Sequence, residues 1–201
     1  MPADRQQFFP GPVLPTDSNT MATPNHRVKL VSLPPESKIS KAFASTNLAD
    51  AYSIELPSRA STNPELLARF IFSHRAPWIR NLIAVRDAIV GRLGLKTAKQ
   101  LTSLGEESEA GRIGAFKIYD ISLTEIVLGG DDKHLDFRLS VYCSNQPSSG
   151  SKRQLTFSTV VHCHNRLGRL YIFVIAPFHR LVVQSSLRSA AQIGWPLATE
   201  A

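Results

Sequence analysis

Five residues able to bind a metal or move protons fall in two short runs. Asp132, His134 and Asp136 alternate with Lys133, Leu135 and Phe137, and His162 and His164 flank Cys163. Side chains two apart on a strand share a face, so each run would present its polar groups together. Two histidines with carboxylates suit zinc or a non-haem divalent metal. A polar outer sheet face with a local Asp–His pair explains the same residues without one. The five are carried as a polar cluster, with no metal or other cofactor assigned.

His179 and Ser186 stand seven residues apart, two helical turns, among Val182, Val183, Leu187 and Ala190. On such a face His179 could hydrogen-bond a ligand or act as an acid or base; a bond to a loop carbonyl is the plainer alternative. Arg86 sits in the middle of an apolar helix face holding Trp78, Ile79, Leu82, Val85, Ile89 and Leu93. A guanidinium there must find an acceptor or extend to water. It is either an anion-binding or gating residue, or a structural partner of Asp120, Asp132 or Asp136. Arg86, His179, Ser186, Val182 and Val183 form the candidate ligand-binding set.

Placing these groups requires a sheet and a helix. Strand patterns occur at Arg27–Leu33, Ala51–Leu56, Phe116–Leu123, Glu125–Gly129, His134–Cys143, Arg153–His164 and Arg169–Ala176. Ala51–Leu56 alternates Tyr52, Ile54 and Leu56 against Ser53 and Glu55, as a half-buried strand does. A helix pair follows it. Asn63 caps the first, with Pro64 and Glu65 in its opening turn. The second runs from Pro77 to about Leu93, stopped by Gly94. Pro177 is expected to start a last helix reaching about Gln192.

Leu135, Phe137, Leu139 and Val141 define one face of their strand, and Leu155, Phe157 and Val161 the matching face of the next. Joining these faces fixes the parity of pairing. With a turn near Pro147–Ser151, His134 is expected near His162, Asp132 near His164, and Cys143 opposite Arg153. That keeps Cys143 far from Cys163 and predicts free thiols rather than a disulfide. His179 then points toward the inner side of the sheet, and His134, His162 and His164 toward the outer.

The chain has 201 residues and a net charge of +7, enough length for a sizeable core. Its basic residues suit either an anionic partner (phosphate, acidic lipid or nucleic acid) or a solvated surface. No nucleic-acid motif is present, and none is expected as partner. G-x-S-x-G, P-loop and dinucleotide fingerprints are missing. No apolar run looks long enough to span a bilayer, and the N-terminus does not read as a secretory signal. A cytoplasmic location is expected. Residues 1–25 read as a flexible leader, with Met21 an alternative start, and 26–201 as one domain.

The element order predicts an α+β helix-grip fold: a curved antiparallel sheet around a long C-terminal helix, with a helix pair after the first strand. Three blocks, Ala76–Lys96, Ile126–Val141 and His164–Val183, together resemble a bacterial family known as domain of unknown function 2867. That family looks like a distant member of the START-like superfamily of birch-pollen-allergen-like proteins and polyketide cyclases. The resemblance implies a cavity for a hydrophobic ligand and marks His134, Asp136, Arg138, Asn165, His179 and Arg180. Three functions follow: binding of a lipid-like or polyketide-like molecule; an acid/base enzyme of cyclase, dehydratase or hydrolase type using His179 with Asp136 or Arg86; or partner binding, as a homodimer, through a sheet face around Tyr171, Phe173 and Ile175.

Overall fold

A computed structural model of the chain describes residues 27–74, 76–79, 81, 82, 84, 111–144 and 153–198. Seven strands form one antiparallel sheet: β1 (Lys29–Val31), β2 (Leu48–Glu55), β3 (Arg112–Ile113), β4 (Phe116–Ile121), β5 (Glu125–Asp131), β6 (Leu135–Cys143) and β7 (Gln154–Cys163). Their spatial order is β1-β2-β7-β6-β5-β4-β3. The sheet wraps around a 28-residue C-terminal helix, Arg166–Ile193. A first helix, Pro64–Ser73, follows β2, and residues 77–79, 81, 82 and 84 are helical beyond it. This is the α+β helix-grip architecture that the element order predicts.

The first helix begins where its chemistry says it should. The Asn63 side chain accepts from the amides of Glu65 and Leu66 at 3.0 and 3.1 Å, satisfying two donors that a helix start leaves open. Leu67, Ala68 and Ile71 turn inward. They meet Tyr52, Ile54, Leu139, Val141, Leu155 and Phe157 from the inner sheet face, and Val183, Leu187 and Ala190 from the C-terminal helix.

The outer sheet face is covered as well. Residues 32–47 cross it as a strap that includes a short 3-10 helix, Lys38–Lys41. Ile39, with Leu33 and Phe43 beside it, packs on Val127 and Val160. β2 is buried on both sides from Ala51 to Ile54, while Ala49 stays exposed. The expected half-buried strand is an internal one, paired with β1 on one edge and β7 on the other.

Two expectations are overturned. Arg169–Ala176 is not a strand, and Pro177 does not start the last helix; one helix begins at Arg166 and carries Pro177 inside it. Its cap is the Asn165 side chain, which accepts from the Gly168 amide at 3.0 Å. The aromatic and β-branched residues of 170–175 imitate a strand. The buried positions, Gly168, Ile172, Val183, Ser186, Leu187 and Ala190, instead keep helical spacing. Gly168 is required by close approach, since a Cβ there would run into the His134 carbonyl oxygen.

The register of β6 with β7 also differs by two residues. Cys143 pairs with Leu155 and Asp136 with His162. Shifting by two leaves every side chain on the same face, so the alternation of apolar residues carried the faces but could not separate the two registers.

Candidate functional site

The inner sheet face holds a polar island between two apolar clusters. Leu48, Val161 and Ile172 lie to one side, and Tyr52 and Phe157 to the other. Between them β2 supplies Asp50 and β7 supplies Thr159, which are cross-strand partners. The C-terminal helix supplies His179 and Arg180. His179 Nε2 lies 3.1 Å from Thr159 Oγ1 and 3.7 Å from Asp50 Oδ1. Arg180 Nε lies 3.6 Å from Asp50 Oδ2.

Asp50 is the unusual member. Its side chain is 5% exposed, and neither carboxylate oxygen has a hydrogen-bond partner. The Arg180 guanidinium and the His179 imidazole lie within 4 Å of it without a hydrogen bond. Removing a carboxylate from water costs several kcal/mol, roughly, even after relaxation, and unused acceptor capacity costs about 1–3 kcal/mol more. Tyr52 and Gln184, joined by a side-chain hydrogen bond, border the island. Burial raises the Tyr52 phenol pKa, and the Asp50 charge adds to that rise. The arrangement can accept hydrogen bonds from a donor group and flank it with positive charge.

The sequence reading placed His179 on the inner side, and there it stands. Asp50 was missed because the strand was started at Ala51. Extended to Leu48, the same alternation puts Leu48, Asp50, Tyr52 and Ile54 on one face, which would have flagged a carboxylate among apolar residues. Ser186 and Val183 are buried further along the helix, and Val182 is partly exposed. Arg86 lies outside the described residues.

The five-residue cluster does not join this site. Asp136 and His162 are on the outer sheet face, where His162 stacks on Phe43 and its Nδ1 lies 2.8 Å from the Ser45 carbonyl. His164 contacts Asp136 at 3.1 Å. His134 instead meets the Asn165 side-chain amide at 2.9 Å, beside the start of the C-terminal helix. Among the described residues no three His, Cys, Asp or Glu side chains are grouped to hold a metal ion. Nearby, Arg138 pairs with Asp131 at 2.7 Å and lies over the Tyr119 ring, while Tyr119 donates to Asp131 at 2.6 Å.

Both cysteines are free and buried, and burial pushes the Cys143 thiol up to about 12, far from a nucleophile's range. Among the described residues one helix, Arg166–Ile193, is long and apolar enough, by length and composition alone, to cross a membrane. The stretch is interrupted by His179 and Arg180, so it is not an uninterrupted apolar run, and its inner face packs on the sheet.

Comparison with known proteins is short. A family model described as a protein of unknown function, DUF2867, matches residues 42–186. No curated protein and no solved structure matches the chain.

Proposed function

The chain belongs to the DUF2867 family, and on that footing we propose a START-like binding protein for a small, mostly apolar molecule of lipid or polyketide type. The ligand lies between the inner sheet face and the first half of the C-terminal helix. One observation carries the reading: a buried carboxylate, Asp50, with no hydrogen bond to either oxygen, set among apolar side chains. Binding pockets of this kind are mostly apolar, with few polar groups fixing orientation. A ligand hydroxyl donating to Asp50 recovers the interaction that the free protein lacks. Two unpaired cysteines go with a reducing, cytoplasmic setting.

The test is native mass spectrometry of gently purified protein, followed by the Asp50→Asn variant. We expect a co-purifying ligand that the variant loses or holds about tenfold more weakly, the equivalent of about 1.4 kcal/mol. The ligand-free variant should melt no lower than the ligand-free parent, because a buried charge has been removed. Marked destabilisation of that ligand-free variant would mean that Asp50 is a structural ion-pair partner, and the reading would be wrong.

The 3.1 Å contact of His179 with Thr159 favours a second reading, acid/base catalysis, since it is a base-to-hydroxyl distance. Thr159 and Asp50 are both buried and His179 is the most exposed of the three, so on this reading His179 exchanges the proton and the other two orient it. Recovery of the bound molecule unchanged after long incubation supports binding; its conversion supports the enzyme.

A further inference from the structure

The outward face of the C-terminal helix changes character along its length. Leu170, Phe173, Val174, Phe178 and Leu181 are 60, 80, 51, 45 and 57% exposed. At 100° per residue they form one continuous stripe, opposite Ile172 and Val183, which face the sheet. Beyond Leu181 the outward positions become polar: Gln184, Arg188 and Gln192. The core does not require this apolar stripe, because the inner face already supplies the helix's packing.

Charge says what covers it. The helix has four arginines and no acidic residue in 28 positions. Arg166 and Arg169 are exposed and have no carboxylate partner among the described residues, and Arg180 borders the stripe at 52% exposure. A second copy docking through this stripe would bring the same arginines and no carboxylate of this helix to the contact, leaving the guanidinium groups without counter-charge there. An anionic lipid surface instead accepts both features: the apolar side chains enter the acyl boundary, and the guanidinium groups reach the headgroups.

We propose that the stripe from Leu170 to Leu181, flanked by Arg166, Arg169 and Arg180, docks this protein in-plane on an anionic membrane surface. The helix lies on the bilayer rather than across it, since its other face holds the core. Arg180 is shared with the polar island through Asp50, so the proposal rests on the stripe with Arg166 and Arg169 and on no bound molecule's identity.

The full-length protein is spun with vesicles of phosphatidylcholine alone or with added phosphatidylglycerol, in low and high salt. Binding is expected to the phosphatidylglycerol vesicles, weakening with salt. The Arg166→Glu/Arg169→Glu variant should bind at least about fivefold more weakly for each arginine removed. The Phe173→Ser/Leu181→Ser variant alters exposed positions only and should lose binding while keeping the parent melting temperature. Failure of the parent to bind overturns the proposal. So does equal binding by the serine variant, which would leave net charge as the whole cause. A parent dimer in light scattering that the serine variant converts to monomer would assign the stripe to a second copy instead.

Discussion

At the scale of single residues, the outer face offers a clear case of linked charges. Burial pushes the Tyr119 phenol up to about 12, with its hydrogen bond to Asp131 adding to the effect. Burial alone would raise Asp131, but the hydrogen bonds from Tyr119 and Arg138 outweigh it and hold that carboxyl below its usual value. A raised phenol stabilises the fold below pH 10 and ceases to as pH climbs through its native value; a lowered carboxylate stabilises it above about pH 4 and ceases to on acidification. The Tyr119–Asp131–Arg138 group should therefore contribute fully between those limits. Tyr119 and Asp131 remain in partial contact with water, so solvent screening keeps the contribution to about 1 kcal/mol. In urea titrations the gap between the parent and Tyr119→Phe should stay constant from pH 5 to 9. It should narrow below pH 4 and above pH 10; a gap unchanged at pH 3 would mean that Asp131 is not the partner that matters.

At the scale of elements, the strap over the outer face is held by a buried carboxylate of a different kind. Glu125 is 2% exposed, yet its Oε1 accepts from the Ser37 and Ser140 hydroxyls, both at 2.5 Å, and its Oε2 from the Lys38 amide at 2.9 Å. It thus caps the 3-10 helix that carries Ile39 into its pocket, and Lys38 pairs with Asp120 outside. Glu125→Gln keeps the shape but puts a donor where an acceptor is needed. It should cost about 2–4 kcal/mol, from two weakened bonds to a charged group, and raise amide exchange in residues 38–42 more than in β6. Uniform destabilisation without selective loosening of the strap would refute this account. The strap was not legible in the sequence, because residues 32–47 have no period and Glu125 reads as an ordinary strand residue. The strands were legible wherever apolar and polar residues alternate, as in β6 and β7. The helix from Arg166 was misread in its first three turns: a face exposed through Leu170, Phe173 and Val174 breaks the rule that apolar side chains mark the core, and Pro177 looks like a start. Asp50 escaped by one residue of strand boundary, although its parity with Tyr52 was available.

At the scale of the whole molecule, the two halves of the C-terminal helix do different work. The second half is anchored: Val183, Leu187, Ala190 and Ala191 pack with the first helix and the centre of the sheet. The first half is held at Gly168 and Ile172 and then spans the polar island at His179 and Arg180. Local stability follows buried apolar contact, so the fold has a firm end and a loose end along one helix. Backbone amides of residues 183–191 should exchange with the slowest set in β6 and β7, and those of residues 173–181 at least about tenfold faster. Pro177 deepens the contrast by removing one donor from the looser half. On the proposed function, a ligand on Asp50 would bridge sheet and helix where the contacts are sparse, so saturation should slow residues 173–181 selectively, adding about 2.7 kcal/mol to global stability at a hundredfold excess over Kd. Hydrogen exchange followed by mass spectrometry, on protein with and without its co-purified molecule, checks both parts. Equal exchange along the whole helix in ligand-free protein would show that the grip is uniform, and the first half could not then serve as the mobile wall of a binding site.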